Sequence, residues 1–249
     1  YNLINSLDKW RCERKFFDYC DLTGFELVGF TFQYELDYFH FIEILRKNKI
    51  PLEKEGRKEI LFAGGPCVST NCHTLSSHID FFILGDAEDT MQQVLERYQG
   101  TIDKGKACFL EDIVEIPGVY VPGISTKETY GTVEIDSAMH PLYQPLPVNG
   151  DQKGAFGSAF MLEIERGCPY SCNFCSIPKI YSEFQCRSID TLREIIDKGI
   201  ELNKRNRVVI YSPSFTHPKR GELLQYLLKK DLTFSVPSLR IEYMTDEIL

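Results

Sequence analysis

The chain has 249 residues, and 43% of them are hydrophobic, which suits one large or two ordinary globular domains and excludes a disordered chain. Its 36 Asp and Glu outnumber its 28 Lys and Arg, and the formal charge of −8 argues against a nonspecific nucleic-acid binder. Nine cysteines are spread along the chain, no apolar run approaches the roughly 18 residues of a membrane helix, and no secretory signal opens the chain. These features predict a cytoplasmic protein whose thiols are free or metal-bound and which has no membrane partner.

The first hundred residues alternate predicted strands with predicted helices. Apolar, aromatic-rich runs predict buried strands at 25–32, 59–63 and 81–84, and helical spacing predicts helices at 40–48, 74–78 and 87–98. A helix is also expected from Ser6 onward, with Cys12 and Cys20 as packing residues. Alternating strands and helices build βαβ units, so this part is predicted to be α/β, a Rossmann-like doubly wound parallel sheet.

Two glycine turns follow predicted strands of this sheet, at Gly64-Gly65-Pro66 and at Gly85-Asp86. Sheets of this kind bind ligands at the carboxyl ends of their strands, although a structural turn is the simpler interpretation of a glycine in that position. Four potential metal ligands lie close together in sequence after the first turn: Cys67, Cys72, His73 and His78. Their spacing matches no established metal motif, which favours an ordinary loop with a short helix.

Residues 106–152 are predicted to form a connector. Short extended pieces are expected at 117–123 and at 133–135, and Pro141, Pro145 and Pro147 mark a linker. The domain boundary is therefore expected between Pro141 and Gly154. This division assigns residues 1–145 to the Rossmann-like domain with its connector and residues 154–249 to a second domain.

The second domain begins with the order strand, cysteine-rich loop, helix, strand, helix, strand. Strands are predicted at 159–165, 207–211 and 233–237, and helices at 189–203 and 221–230, with Ser188 as the N-cap of the first helix and a third helix opening near Thr245. This order predicts the start of a (β/α) barrel, in which chemistry gathers at the carboxyl ends of the strands. The residues nominated there are Ser212, Ser214, Ser238 and Arg240.

Three cysteines, Cys168, Cys172 and Cys175, follow the first predicted barrel strand at the spacing C-x3-C-x2-C. Soft thiolate ligands suit an iron–sulfur cluster, and three ligands leave one iron of a [4Fe–4S] cluster open to a reactant. A structural zinc site would need a fourth ligand, for which Cys186 is the only nearby candidate. A disulfide would need an oxidising compartment, which nothing in the sequence indicates. A ferredoxin-type electron carrier would show the spacing C-x2-C-x2-C-x3-C-P, which differs from the one found here.

The cysteine stretch resembles the signature of the radical S-adenosylmethionine (radical SAM) superfamily, both in the lead-in at 165–171 (ERGCPYS) and in Phe174 before the last cysteine. The resemblance implies that the three cysteines hold a [4Fe–4S] cluster whose open iron binds S-adenosylmethionine. Reductive cleavage of this cosubstrate then starts radical chemistry on a substrate that the sequence does not name. Phe174 would lie near the adenine. The family's Gly-Gly-Glu after the second strand is replaced here by Ser212-Pro213-Ser214, so contacts from Ser212, Ser214 and Arg240 are expectations from their position alone.

The first domain, over roughly residues 20–100, resembles the cobalamin-binding-like domain that precedes many radical SAM domains. The resemblance rests on Gly64-Gly65-Pro66 and on the stretch 79–88 (IDFFILGDAE). The family's Asp-x-His-x-x-Gly motif is absent; some members bind cobalamin without it and others have lost binding, so cobalamin stays an open possibility.

The resemblance also implies an electron donor, such as a flavodoxin or a ferredoxin. Radical SAM barrels usually have six strands and only three are predicted here, so the chain is expected to be part of a longer protein, with a start that is trimmed because it is not Met. The favoured function is therefore a radical SAM enzyme, with methyl or sulfur transfer as a possible outcome. The alternative is a non-catalytic iron–sulfur or zinc protein whose α/β domain binds a partner.

Overall fold

The computed structural model of the protein describes residues 1–15, 20–146, 156–181 and 183–244. The chain forms two compact units, Tyr1–Val133 and Glu134–Leu249. Within the described ranges, every helix is too short or too polar to cross a membrane.

The first unit contains a four-stranded sheet with helices on both faces. Its elements are α1 (Asn2–Asn5), β1 (Leu27–Thr31), α2 (Asp37–Lys47), β2 (Ile60–Gly64), α3 (Pro66–Thr70), β3 (Phe81–Ile83), α4 (Glu88–Thr101), α5 (Lys106–Ile113) and β4 (Val119–Tyr120). The sheet order is β1-β2-β3-β4, with β1, β2 and β3 parallel and β4 antiparallel to β3. The prediction of a layered α/β fold around parallel strands is confirmed.

The two faces of this sheet carry separate hydrophobic clusters. Side chains of α2 and α3, such as Phe41 and Val68, pack on one face with Leu61 and Phe82 of the strands. Side chains of α4 and α5 pack on the other face, among them Phe109. Because both faces are covered, β2 and β3 are apolar along their length, which is why their sequences are continuous hydrophobic runs rather than alternating ones.

A buried carboxylate stabilises the first unit beside β3. Asp80 Oδ2 accepts hydrogen bonds from Arg57 Nη2 at 2.7 Å and from the backbone N–H of Leu61 at 2.8 Å. Lys106 Nζ lies 2.9 Å from Asp80 Oδ1. The side chains of Arg57 and Asp80 are 0% and 2% exposed, so removal of the Asp80 carboxylate would leave the Arg57 guanidinium buried without its counter-charge, at a cost of about 3–5 kcal/mol.

Some predicted elements of the first unit differ from those observed. Helix α5 lies inside the predicted connector, and α3 precedes the predicted helix at 74–78, where the chain instead makes a 3₁₀ turn at His73–Leu75. The extended piece at 133–135 is not a strand. The predicted helix from Ser6 is observed only as the preceding turn α1; residues 16–19 of that prediction lie outside the described residues.

The second unit begins as a parallel α/β structure. Its elements are β5 (Phe160–Glu163), β6 (Glu165–Arg166), α6 (Ile177–Ile180), β7 (Gln185–Cys186), α7 (Ile189–Asn203), β8 (Arg207–Tyr211), α8 (Arg220–Lys229) and β9 (Thr233–Ser235). Strands β5, β8 and β9 form one parallel sheet in chain order, and β6 pairs with β7 as a short antiparallel ribbon. The predicted start of a (β/α) array is thus present; the helix expected near Thr245 falls outside the described residues.

Helix α7 covers this sheet. Its N-cap is Ser188, as predicted, because the Ser188 side chain accepts a hydrogen bond from the backbone N–H of Thr191. One apolar face of α7, including Leu192 and Ile196, packs on Phe160 and Ile210 of the strands. Gly199 sits directly against the Phe160 ring, where an added Cβ would lie 2.2 Å from Cζ.

Residues 134–146 pack on the second unit. The side-chain amide of Gln144 accepts from the backbone N–H of Met161 at 2.8 Å and donates to the backbone oxygen of Met161 at 2.7 Å. His140 Nε2 accepts from the backbone N–H of Glu163 at 3.1 Å. The units therefore divide after Val133, whereas the prolines of the sequence place the boundary between Pro141 and Gly154. These side-chain bonds draw the segment before the prolines onto β5, and such long-range pairing leaves no local signal.

Candidate functional site

The three predicted cluster ligands lie in the loop between β6 and α6. Cys168, Cys172 and Cys175 are free thiols and each is partly exposed. The backbone N–H of Cys175 donates to the oxygen of Cys172 at 3.0 Å, so the second half of the motif forms a tight turn. The loop follows the β5–β6 segment, at the carboxyl end of the first barrel strand, where the sequence predicted it.

The entrance to the loop depends on Gly167. This residue has φ +76°, and an added Cβ would lie 2.5 Å from the backbone oxygen of Glu183. Just before it, Arg166 Nε and Nη2 each lie 3.0 Å from the carboxylate of Glu163, a two-point contact that holds the strand end in place. Glycine is thus required immediately before Cys168, for its backbone conformation and for lack of space.

Glu165 links the strand before the cysteine loop to the loop after β8. Its carboxylate is buried, and Oε1 accepts from the backbone N–H of Thr216 at 3.0 Å and from Thr216 Oγ1 at 3.1 Å. Burial raises the pKa of Glu165, while the hydrogen bonds from Thr216 oppose that rise. The carboxylate therefore ties the strand that leads into the cysteine loop to the loop that follows β8.

The loop after β8 carries two predicted site residues. Ser212 and Ser214 are half-buried there, and the backbone N–H of Thr216 also approaches the oxygen of Ser214 at 2.6 Å. The backbone N–H of Phe215 donates to the oxygen of Ser238 at 3.1 Å, which joins this loop to the one after β9. Loops that follow three parallel strands thus meet on the same side of the sheet, as the barrel interpretation requires.

Arg240 contacts the cysteine loop directly. Its guanidinium lies 4.0 Å from the ring centroid of Tyr170, and the hydroxyl of Tyr170 is hydrogen-bonded to that of Tyr243. Arg220 lies 4.5 Å from the Tyr243 ring, so two arginines and two tyrosines form one stacked group. Arg240 also pairs with Glu242 at 2.6 Å. Arg240, a predicted site residue, therefore lies beside the cysteine loop.

Phe174 is different, because it is 93% exposed and the described residues scarcely cover it. Stacking on Tyr170 brings Arg240 to the cysteine loop. The bonds between Glu165 and Thr216 bring the loop that carries Ser212 and Ser214 to the strand before the cysteine loop. Phe174 stands apart from these contacts on the outer side of the loop.

His217 follows Thr216, and both of its ring nitrogens form hydrogen bonds with backbone groups. Its Nδ1 accepts from the backbone N–H of Lys219 at 3.1 Å, so its Nε2 carries the proton and donates to the oxygen of Arg187 at 2.8 Å. Burial lowers the pKa of His217, which keeps the ring neutral. The His217 side chain therefore stabilises the backbone at Arg187, between β7 and α7.

The thiols present fit an iron–sulfur cluster with three protein ligands better than a four-ligand zinc site. Cys186, the only nearby fourth thiol, lies in β7 with its Sγ 4.0 Å from Glu165 Oε2. Burial, with the neighbouring Glu165, raises the pKa of Cys186 to about 12, so its thiol stays protonated. Cys168, Cys172 and Cys175 are left as a partly exposed set of three soft donors.

The glycine turns of the first unit serve internal packing. Gly65 has φ +102°, and an added Cβ would lie 2.6 Å from the backbone oxygen of Phe32. Gly85 has φ +78°, and its Cβ would lie 2.5 Å from the oxygen of Gly131. Both glycines are explained by neighbouring backbone of this chain, which matches the structural interpretation of these turns.

Two residues of the site, Glu165 and Thr216, are not among those that the sequence predicts. Glu165 lies at the end of a predicted strand, and Thr216 lies between the nominated Ser214 and His217. The available signal is an acidic residue at the end of a largely apolar strand, because a carboxylate in such a place needs buried donors. Nothing in the local sequence identifies Thr216 as the donor.

The chain is similar in sequence to known proteins. The family described as "Radical SAM proteins, N-terminal" matches residues 18–122. The uncharacterized protein MJ0966 of Methanocaldococcus jannaschii is 32% identical over 236 residues, which cover 93% of this chain and 48% of that protein. MJ0865 of the same organism, provisionally named a methylthiotransferase, is 27% identical over 226 residues, covering 84% of this chain and 43% of that protein. This chain thus spans about half the length of these relatives.

Two solved structures share the fold. The radical S-adenosylmethionine methyltransferase TsrM from Kitasatospora setae, with cobalamin and a [4Fe–4S] cluster bound, aligns with a TM-score of 0.56 at 13% identity, covering 82% of this chain and 41% of that chain. The cobalamin-dependent S-adenosylmethionine radical enzyme OxsB, with aqua-cobalamin bound, aligns with a TM-score of 0.59 at 16% identity, covering 85% of this chain and 30% of that chain.

Proposed function

Because the chain belongs to the radical SAM superfamily, we propose that it is the N-terminal part of an enzyme that cleaves S-adenosylmethionine reductively and starts radical chemistry on a substrate. The observation that carries this proposal is the set of three free, partly exposed thiols at the carboxyl end of the first barrel strand. Three soft donors on one short loop suit a cluster that keeps one iron open to a cosubstrate.

Cys168, Cys172 and Cys175 would hold the [4Fe–4S] cluster. When bound, this cluster supplies one electron to the sulfonium of S-adenosylmethionine and so starts the radical reaction. Gly167 sets the direction in which the loop leaves β6, since its φ of +76° is reached readily only without a Cβ. The turn at Cys172–Cys175 keeps the second and third thiols on the same short loop as the first.

Residues after β8 and β9 are suited to bind the polar end of S-adenosylmethionine. Ser212 and Ser214 offer hydroxyl groups, and Arg240 offers a guanidinium that can pair with a carboxylate at two points. Arg240 is held beside the cysteine loop by Tyr170, at 4.0 Å from the ring centroid. Phe174, at 93% exposure, presents a free aromatic face and adjoining backbone for the adenine.

Methyl or sulfur transfer is the reaction class that we propose for the whole protein. One relative carries a methylthiotransferase name, and a solved structure of the same fold is a methyltransferase. Cobalamin in the first unit would suit methyl transfer, but Gly65 and Gly85 of the turns there are each explained by close approach of the chain's own backbone. An electron donor of the flavodoxin or ferredoxin kind, in the cytoplasm, completes the proposal.

Anaerobic reconstitution with iron and sulfide, followed by electron paramagnetic resonance of the reduced protein, tests the proposal. We expect about four iron atoms per chain and a [4Fe–4S]⁺ signal that changes when S-adenosylmethionine is added. Substitution of Cys168, Cys172 or Cys175 by Ala should abolish the signal, because each removes one of only three ligands.

Cys186→Ala is the matched control, since it removes a thiol of the same unit that points to Glu165. It should leave the iron content and the signal unchanged. A cluster that needs Cys186, or a signal indifferent to S-adenosylmethionine in a protein that spans the full length of the relatives, would contradict the proposal. Bound zinc in place of iron would favour a non-catalytic metal protein.

A further inference from the structure

Three potential metal ligands converge in the first unit, away from the cysteine loop in sequence. Cys72 Sγ lies 3.9 Å from Glu128 Oε1, and His73 Nε2 lies 2.8 Å from the same oxygen. All three ligand atoms lie within 4.8 Å of one another. In the described parts of the chain, this is the one group of three His, Cys, Asp or Glu side chains gathered so closely.

The spacing is close to that of a tetrahedral zinc site. Zinc bonds to sulfur at about 2.3 Å and to nitrogen or oxygen at about 2.0–2.2 Å, which places tetrahedral ligand atoms about 3.4–3.6 Å apart. The observed distances of 3.9 Å and 2.8 Å lie on either side of that range. The ligand atoms of Cys72 and His73 lie within 4.8 Å of each other, so shifts of up to about 1 Å would admit the ion.

Neighbouring side chains already hold the ligands in position. The hydroxyl of Tyr130 donates to Glu128 Oε2 at 3.2 Å, which leaves Oε1 directed at Cys72 and His73. The His73 ring packs edge-on against Tyr120, with 5.5 Å between centroids. Such outer contacts orient the ligands of metal sites and contribute to metal affinity.

A plain ion pair explains only part of this arrangement. An exposed His73–Glu128 pair would account for those two side chains, which are 61% and 36% exposed. It would not account for a thiol directed at the same oxygen from a residue that is only 3% exposed. A divalent cation would neutralise the thiolate and the carboxylate together, so the burial of the sulfur would be compensated.

We propose that Cys72, His73 and Glu128 bind one Zn²⁺ ion, with water in the fourth position. Cys, His and Glu are all established zinc ligands, and zinc sites with three protein ligands keep a water in the fourth position. The ion would join the loop after α3 to the segment around Glu128, which are 56 residues apart in sequence. Binding would release the thiol proton of Cys72, so affinity should rise with pH.

Metal titration tests this site. The 249-residue chain with Cys168, Cys172 and Cys175 replaced by Ser, which removes the competing thiols, is titrated with Zn²⁺ against a chromophoric chelator and with Co²⁺ as a spectroscopic probe. We expect one equivalent of metal and a thiolate-to-cobalt charge-transfer band. In this background, His73→Ala and Glu128→Gln should weaken binding at least about 100-fold, and Tyr130→Phe about tenfold. Cys72→Ser should remove the charge-transfer band.

The controls are Cys67→Ser, a buried thiol of the same helix region, and His78→Ala, a histidine of the same loop. Both should bind Zn²⁺ as the parent does. His73 is largely exposed, so His73→Ala tests the ligand without endangering the fold, which circular dichroism verifies. A parent that binds no tighter than His73→Ala, or a charge-transfer band that survives Cys72→Ser, would overturn the proposal. The outcome is independent of the iron–sulfur cluster.

Discussion

Single side chains in the second unit satisfy backbone groups of β5 that are not paired with any strand of the described residues. His140 is the most informative of them, because its Nε2 must be unprotonated to accept the hydrogen bond from Glu163 at 3.1 Å. Burial lowers the pKa of His140 to about 4. The fold therefore stabilises the neutral ring over the charged one.

This pKa predicts how stability depends on pH. In the unfolded chain His140 should titrate near its usual pKa of about 6.5, so between that value and about 4 the unfolded state binds more protons than the folded state. The free energy of unfolding should therefore fall as pH drops through this window, by up to about 3 kcal/mol from this residue. Urea unfolding at a series of pH values measures it.

His140→Gln is the comparison variant, because its amide can accept the same bond and does not titrate. It should show a smaller loss of stability between pH 6.5 and pH 4 than the parent, although other groups still titrate in both proteins. If the free energy of unfolding fell equally with pH in both proteins, His140 would not be the source of the pH dependence.

Loading of the cysteine loop with iron should also depend on Gly167, which is not itself a ligand. Gly167→Ala adds a Cβ 2.5 Å from a backbone oxygen in a left-handed conformation, which alone costs about 1–2 kcal/mol for an L-residue. We expect clearly less iron after anaerobic reconstitution. Gly157→Ala is the matched control, since Gly157 also has a positive φ, +62°, but nothing lies within 4 Å of its added Cβ. Equal iron in both variants would show that the contact with Glu183 is unimportant.

At the scale of elements, α7 shows how packing can reverse a helix propensity. In an exposed helix, Gly→Ala stabilises by about 1 kcal/mol. At Gly199 the new methyl group would meet the Phe160 ring at 2.2 Å, and overpacking of that kind costs about 1–3 kcal/mol. The clash is the larger effect, so the substitution should destabilise.

Gly199→Ala is therefore expected to lower the denaturant midpoint of the second unit, measured by circular dichroism and by hydrogen exchange in α7. Gly100→Ala in α4 provides the opposite case, because nothing lies within 4 Å of its added Cβ. That variant should be neutral or up to about 1 kcal/mol more stable. Stabilisation by both substitutions would mean that Phe160 moves aside at little cost.

The elements that sequence predicts well are those whose signals are local. Helix α7 is predicted from Ile189 to Asn203 and observed with the same bounds, because Ser188 caps it and its apolar residues recur at helical spacing. Strand β8 is likewise predicted with its observed bounds. Helix α5 is not predicted, because only Phe109 and Ile113 are buried along its eight residues, which is too short a pattern to recognise.

The candidate site likewise contains residues that a local sequence signal reveals and residues that only tertiary contacts bring together. The three cysteines lie close together in sequence, so their spacing alone predicts them as ligands. The stacking of Arg240 on Tyr170 joins residues 70 positions apart, and the bond from Thr216 to Glu165 joins residues 51 apart. Tertiary pairings of this kind have no period and no motif, so a single sequence cannot reveal them.

At the scale of the whole molecule, the two units have separate hydrophobic cores. Leu61 belongs to a core of the first unit and Leu192 to that of the second, and both are 0% exposed. Each core is closed by strands and helices of its own unit. We therefore expect the units to lose structure separately.

Hydrogen exchange with mass spectrometry checks this expectation. Leu61→Ala and Leu192→Ala should each cost about 2–5 kcal/mol, and each should accelerate exchange only in peptides of its own unit. Acceleration in both units by either substitution would show a single cooperative structure instead.

The bonds from Gln144 and His140 to β5 also make the second sheet one-sided. Donors and acceptors along the outer margin of β5, at Met161 and Glu163, are consumed by these side chains, so no further strand can dock there. In the described part of the chain, β9 pairs on one side only, with β8. An incoming strand, from this chain or from another molecule, thus finds a template only at β9. Extension of this second sheet is therefore directional and would begin at the β9 margin.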